Sequence, residues 1–396
     1  MHIKKFKIEY LALVLSIVLT FALSVRTDTL DYNHPHFKFN WDHHKYIWMA
    51  LNNLDFHIAP FCWRIFVPFL ASILPFELSL NFKLISISSI VLTGFFTFKI
   101  GQKIFSDLSS SFALMFAYFS IGFVTKYVIH NFWLPDSFTF LLITLGLYSI
   151  LIKNDLLFLA VMTIGAMTKE SVLFVLPLYY TFNATKLFDF QVFKKTLFIS
   201  IIPIIVFITI RIIIPPFNED PEYLSSLSPQ LRNVNFDDST YNLKYLYYTI
   251  GLPRLKEFSF TLLYNITIYS FLIHFILALI DWKTIKIFGP KFLPLVVLSY
   301  LQILFAVNTE RLVVVAFLPF IILSIYNQKK IFDRITNSTF VLPLINLLIM
   351  GLVISSGIFY GNWVILRQIF LFVTFILFLS IIKKFKDRKQ NTGLIN

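Results

Sequence analysis

Apolar runs long enough to cross a bilayer recur from one end of this chain to the other, and no water-soluble core could bury so many of them. A transmembrane helix takes about 20 mainly apolar residues. Runs of that kind fall near 9–25, 79–100, 106–127, 136–152, 155–168, 171–183, 196–214, 258–280, 288–307, 312–326, 338–358 and 363–382. The expected fold is therefore an all-α polytopic membrane protein of about 12 transmembrane helices. Charged residues make up 14% of the chain, where soluble domains carry about a quarter. The mean hydropathy is +0.76. The first run follows a basic start, MHIKKFKIEY, but shows no small-x-small cleavage site, so it reads as an uncleaved first helix.

The basic residues give this bundle a direction. With the N-terminus inside, the inner intervals hold Lys4, Lys5 and Lys7, Lys99 and Lys103, Lys153, Lys186, Lys194 and Lys195, Lys283, Lys286 and Lys291, Lys329, Lys330 and Arg334, and the tail from Lys383 to Lys389. That is 20 of the 34 basic residues, accompanied by seven of the 21 acids. The formal charge of +13 therefore sits on one side, as the positive-inside rule expects of a cytoplasmic face. A nucleic-acid partner is not needed to explain it. Both termini are expected in the cytoplasm, and the setting is expected to be a bacterial inner membrane.

Under that topology two outer loops are long, 26–78 and 215–257, and chemistry is expected on their side. The second half of the first loop, APFCWRIFVPFLASILPFEL, is apolar but broken by Pro60, Pro68 and Pro75. Proline interrupts helices and disfavours helix in the residue before it. Short surface helices are expected here, with Trp63 and Phe side chains at the interface. The second loop mixes charges with Tyr241, Tyr245, Tyr247 and Tyr248 and is read as a cover for a site or as plain solvated loop. The single cysteine, Cys62, rules out an intrachain disulfide and reads as a small buried hydrophobe.

Charges near hydrocarbon cost roughly 2.5–3.5 kcal/mol each on insertion scales, so those that persist tend to mark function. Four outer clusters stand out. The first is Asp42 with His43, His44, Lys45 and Tyr46; a carboxylate at the lipid–water boundary can serve as a general base. Five of the eight histidines lie in this loop, so a divalent metal is compatible with the residue types, although the spacing matches no zinc pattern. The second is Asp136 after Pro135 at the start of a span, where helix capping is the first role and substrate contact the second. The third is Lys169-Glu170, at the tip of two short helices, as a self-neutralising pair or as a contact for an anionic group. The fourth is Glu310-Arg311, with Arg64 as a further cation suited to phosphate.

Together these segments resemble the GT-C superfamily of integral-membrane glycosyltransferases. The resemblance rests on Trp41-Asp42, the run from Pro60 to Pro68 around Arg64, Pro135-Asp136, Thr168-Lys169-Glu170-Ser171 and Thr309-Glu310-Arg311. It implies transfer of a sugar from a polyprenyl-phosphate or related lipid donor to a glycan, lipid or protein acceptor on the extracytoplasmic side. Asp42 would be the catalytic base and inversion the outcome. Arg64, Lys169 and Arg311 would meet the donor phosphate; Glu310 would orient Arg311 or touch sugar. His43, His44, Tyr46, Asp136 and Glu170 complete the substrate-binding set. Asp42 is followed by two histidines instead of a second acid, which departs from the commonest pattern. The short tail argues against the branches with a large soluble C-terminal domain. The alternatives are a transporter or flippase of a lipid-linked or anionic sugar, and a polysaccharide polymerase or ligase.

Overall fold

The computed structural model describes residues 2–37, 42–216, 260–305, 309–336, 338–357 and 362–392. Trp41 and nearly all of the second long loop, including Tyr241, Tyr245, Tyr247 and Tyr248, lie outside the described residues. Every regular element among the described residues is helical. In chain order the α-helices are α1 (His2–Val25), α2 (Asp42–Leu51), α3 (Phe66–Ile73), α4 (Leu78–Phe105), α5 (Leu108–Phe119), α6 (Lys126–His130), α7 (Asp136–Leu151), α8 (Asp155–Thr168), α9 (Leu176–Asn183), α10 (Phe190–Ile213), α11 (Phe260–Phe271), α12 (Ile273–Leu279), α13 (Trp282–Leu301), α14 (Thr309–Val313), α15 (Phe317–Ile335), α16 (Ser338–Ser355) and α17 (Asn362–Thr392). Six are long and apolar enough to cross a membrane, and α5, α7, α8 and α16 are shorter apolar helices. The protein is a helical, membrane-embedded bundle: the outward faces of α10 and α17 carry rows of Ile, Phe and Leu that water would not tolerate.

Local chemistry explains where the helices depart from the sequence expectation. The run 106–127 is not one helix. It stops at Ser120, whose hydroxyl bonds back to the Ala117 carbonyl, and restarts as α6 after a turn. The run 258–280 breaks at Leu272, which has φ of 54°. The run 171–183 begins as a 3₁₀ turn, Glu170–Val175, before α9. In the other direction, α15 extends past 326 to Ile335.

Packing is close where side chains are small. A Cβ on Gly101 of α4 would lie 2.7 Å from the Ser111 Cα of α5, so only glycine allows that crossing. Along α4, the Ser89, Thr93 and Thr97 hydroxyls each bond to the carbonyl four residues back, which satisfies them inside an apolar bundle. Lys126, fully buried, donates its ammonium to the carbonyls of Val353 and Ile354 at 3.2 Å each, and to that of Ser356. It caps the negative end of α16, which is where a cation is stabilising.

Ion pairs mark two ends of the bundle. At one end lie Glu9–Lys99, Asp155–Lys195, Asp107–Lys329 and Asp281–Lys330. At the other lie Asp31–Lys83, Asp42–Arg311, Asp136–Lys169 and Arg64–Glu170. Helix α4 carries Lys83 near one end and Lys99 near the other; at about 1.5 Å per residue the two Cα atoms are ~24 Å apart. The first loop folds over the second end. Its short elements α2, Phe61–Trp63 and α3 bury Tyr46, Met49, Phe56, Phe61, Cys62 and Val67 against Phe82 of α4 and Trp133.

Candidate functional site

The site is assembled from five stretches distant in sequence, each contributing a charge at a helix end. Helix α2 opens on Asp42. Side chains at i, i+3 and i+4 share a helix face, so Asp42, Lys45 and Tyr46 point one way. His43 and His44 turn aside and pack on Phe37, with ring centroids 4.5 and 4.7 Å away. Helix α7 opens on Asp136, helix α8 ends at Lys169, and Arg311 sits on the short helix α14. The backbone at Lys169 is extended (φ −166°, ψ 136°). Consecutive side chains on extended backbone point to opposite sides, so Lys169 and Glu170 do not pair with each other. Lys169 reaches Asp136, and Glu170 reaches Arg64. Gly165, one turn before Lys169, makes this turn possible: a Cβ there would overlap Val172.

The charges form an alternating chain. The Lys45 ammonium lies 3.4 Å from Asp42 Oδ1 and 3.8 Å above the Phe61 ring centroid. Arg311 donates from Nη1 to Asp42 Oδ2 at 3.0 Å and from Nε to Asp136 Oδ2 at 2.5 Å. Lys169 donates to the remaining Asp136 oxygen at 2.5 Å. Beside this chain, Arg64 binds Glu170 through two nitrogens, Nε at 3.2 Å and Nη2 closer, and donates from Nη1 to the Tyr46 hydroxyl at 3.2 Å. The two-pronged geometry is the one a guanidinium provides and an ammonium does not.

Accessibility separates the carboxylates. The Asp136 side chain is 2% exposed and Asp42 is 32% exposed. Asp136 anchors two cations from below. It is the first residue of α7, where an acid complements the helix dipole, and it also pairs with Lys169 and Arg311. Glu170 is exposed comparably to Asp42, at 30%, yet Arg64 holds both its oxygens. Burial disfavours its charge, but Arg64 outweighs that and holds Glu170 down at about 2. Asp42 also titrates below the ordinary range: burial opposes ionisation, and Lys45 and Arg311 together overcome it. Among the described residues, Asp42 Oδ1 makes one hydrogen bond, the long 3.4 Å approach of the Lys45 ammonium.

The other groups of the first loop behave as buried residues should. Burial, with a further push from His44, lowers His43 to about 3, and burial lowers His44 to about 4, so both rings are neutral near pH 7. Burial raises Tyr46 to about 12 and the Cys62 thiol to about 12. Among the described residues no three His, Cys, Asp or Glu side chains converge in a way that could hold a metal ion.

The sequence-derived set thus divides. Asp42, Tyr46, Arg64, Asp136, Lys169, Glu170 and Arg311 come together. The His43 and His44 rings lie on the Phe37 side. The Glu310 backbone carbonyl accepts from Ser270 at 3.4 Å, and the orienting partners of Arg311 are Asp136 and Asp42. Two neighbours escaped the sequence reading. Tyr127 lies close enough to feel the charges of Arg311, Asp136 and Asp42. Arg211, near the end of α10, stacks 4.6 Å from the Trp63 ring centroid, beside Arg64 in sequence. For Arg211 the signal was present, a cation at the outer end of an apolar run; for Tyr127 there was none. A scan against family models and searches of curated proteins and of solved structures found no match to this chain.

Proposed function

We propose that this protein is a membrane glycosyltransferase of GT-C type, moving a sugar from a lipid-phosphate donor to an acceptor hydroxyl, with Asp42 as general base. One observation carries the reading. At a single end of a lipid-embedded bundle, an accessible carboxylate shares a guanidinium with a sunken one, and four cations surround three acids. The surplus positive charge suits an anionic leaving group.

In the proposed step the acceptor oxygen attacks the anomeric carbon and its proton passes to an Asp42 oxygen. The bond from that carbon to the phosphate oxygen breaks, its electron pair stays on the phosphate, and the configuration inverts. Lys45 and Arg311 depress the basicity of Asp42 in the resting state. A phosphate arriving beside them offsets that pull, so the base strengthens when the donor is in place. Asp136, itself fixed by Lys169 on its other oxygen, holds Arg311 for this task, and Glu170 and Tyr46 hold Arg64.

The proposal includes about twelve crossings with both termini cytoplasmic and the Asp42 end extracytoplasmic, in a bacterial inner membrane. The two bands of ion pairs are consistent with it. Junctions between consecutive apolar runs of the sequence alternate between them, with Lys99, Asp155, Lys195, Asp281 and Lys329 in one band and Asp31, Asp136, Lys169 and Arg311 in the other. The first loop, 26–78, supplies the base and a small packed cap. The acceptor is a glycan, lipid or protein.

The deciding experiment measures transfer of radiolabelled sugar from purified polyprenyl-phosphate donors by wild type and Asp42→Asn. Loss of transfer in the variant is expected; undiminished transfer would remove the mechanism. A flippase is the second reading, favoured by one feature. A buried polar chain runs through the bundle, with His274 bonded to Ser120 at 2.6 Å and to Ser324 at 2.9 Å, Gln328 to Ser324 at 3.0 Å and Asn346 to Gln328 at 2.8 Å. It contains no Asp, Glu, Lys or Arg. Translocation of a fluorescent lipid-linked sugar in proteoliposomes, without new product, would favour that reading.

A further inference from the structure

The cations of the site are already matched to acids: Lys45 and Arg311 to Asp42, Arg311 and Lys169 to Asp136, Arg64 to Glu170. Arg211 differs. Among the described residues it meets no carboxylate, and its one hydrogen bond goes from Nη1 to the Phe207 carbonyl at 3.1 Å. Its guanidinium carbon lies over two rings, 3.4 Å from the Phe207 centroid and 4.6 Å from that of Trp63. Trp63 is itself fixed, its indole N–H donating to the Ile214 carbonyl at 3.0 Å. Stacked arginine keeps most of its donors and a preset orientation. Arg211 is close enough to Arg64 and Glu170 to feel their charges, so it borders the site already described.

Below Arg211 on the same helix stripe lie Ile208 and Ile204, three and seven residues earlier, 48% and 42% exposed. The surface thus joins a cation, oriented at the head-group level by a tryptophan, to an apolar track leading into the hydrocarbon. We propose that Arg211 is the docking contact for the donor: the phosphate of a polyprenyl-phosphate carrier lies against its guanidinium, the isoprenoid chain lies along Ile208 and Ile204, and Arg64 is the next cation inward. The inference rests on the glycosyltransferase reading and adds the route by which the donor reaches Asp42, laterally from the bilayer along α10. Arg211 is a recognition residue in it and takes no part in the chemical step.

The test uses full-length protein in nanodiscs of zwitterionic lipid, titrated with decaprenyl phosphate and read by intrinsic tryptophan fluorescence. Parallel arms receive phosphatidylglycerol and inorganic phosphate. Wild type is expected to bind decaprenyl phosphate saturably. Arg211→Ala is expected to weaken it about 10- to 100-fold, the range for one charge-assisted contact. Arg211→Gln keeps a planar group over Trp63 without the charge and is expected to weaken it as much, with an unchanged Tm. Phosphatidylglycerol and inorganic phosphate are expected to bind far more weakly than the carrier. Wild-type affinity in both Arg211 variants would overturn this inference and leave the enzyme reading standing. Equal binding of phosphatidylglycerol, lost equally in the variants, would make Arg211 a general lipid anchor and also overturn it. Failure of wild type to bind decaprenyl phosphate would remove the donor reading and this inference together.

Discussion

Asp136→Asn is the substitution that most directly tests the architecture of the site. In the wild type, one carboxylate accepts from Arg311 Nε and from Lys169 Nζ, both at 2.5 Å, in a pocket where the Asp136 side chain is 2% exposed. The amide is nearly the same shape. It can accept one bond through Oδ1, but its NH₂ faces a cation and the negative charge is gone. Arg311 is then left with Asp42 alone, and Lys169 with no ion pair among the described residues. Breaking a buried pair by removing one partner costs about 3–5 kcal/mol, against a total stability of roughly 5–15 kcal/mol. At about 2 °C per kcal/mol for a large domain, Tm should fall by ~6–10 °C. The assay is thermal unfolding of purified protein in detergent, followed by size exclusion. Lys169→Met in the same background removes one stranded cation, so the double variant should recover part of the loss instead of adding to it. A single variant melting within about a degree of wild type would refute the ion-pair chain.

Four further outcomes follow from other parts of the molecule. Asp42→Asn, at a side chain one-third exposed, should leave Tm nearly unchanged while lowering transfer by about 10²–10⁴, the range for a lost general base; a large fall in Tm would make Asp42 structural. Gly165→Ala must push Val172 aside, which costs roughly 1–3 kcal/mol by overpacking and should displace Lys169; an unchanged Tm would contradict the close approach. Cys62 is fully buried with its thiol raised to about 12, so maleimide at pH 7–8 should label it only after denaturation, and rapid labelling from either side would show the cap to be open. His43 and His44 have folded values of about 3 and about 4, so the unfolded state binds more protons below pH 6.5. Their contribution is present above that pH and is lost as the pH falls toward 4. By pH 5 the loss is at most about 2 kcal/mol per ring, and replacing both with Phe should flatten the decline in Tm.

What could be read without coordinates was the location of charge, and what could not was its pairing. Asp42, Arg64, Lys169, Glu170 and Arg311 all stand at junctions between apolar runs, and the alternation of runs was enough to assign those junctions to one side. Partner choice depends on the direction of each side chain. The extended backbone at Lys169 splits what looked like a self-contained Lys169–Glu170 pair, and the i, i+3, i+4 geometry of α2 sends His43 and His44 away from Asp42. Asp136 was legible as an acid in the first turn of a helix, which it is; its contacts with Lys169 and with Arg311 were not. Helix ends were legible where a polar residue interrupts the run. The break at Leu272 was not, because leucine gives no local hint of a positive φ. Arg211 was visible as a cation at the outer end of an apolar run, but its contact with Trp63, about 150 residues earlier, was not.

The fastening of Arg311 has a mechanical side. One planar group grips two acids carried by segments 94 residues apart, Asp42 on the cap and Asp136 at the mouth of α7. Were a newcomer to win the outer grip, the cap would be let go at that point while the inner grip stayed fast. The first loop is in this sense latched from beneath by a single guanidinium.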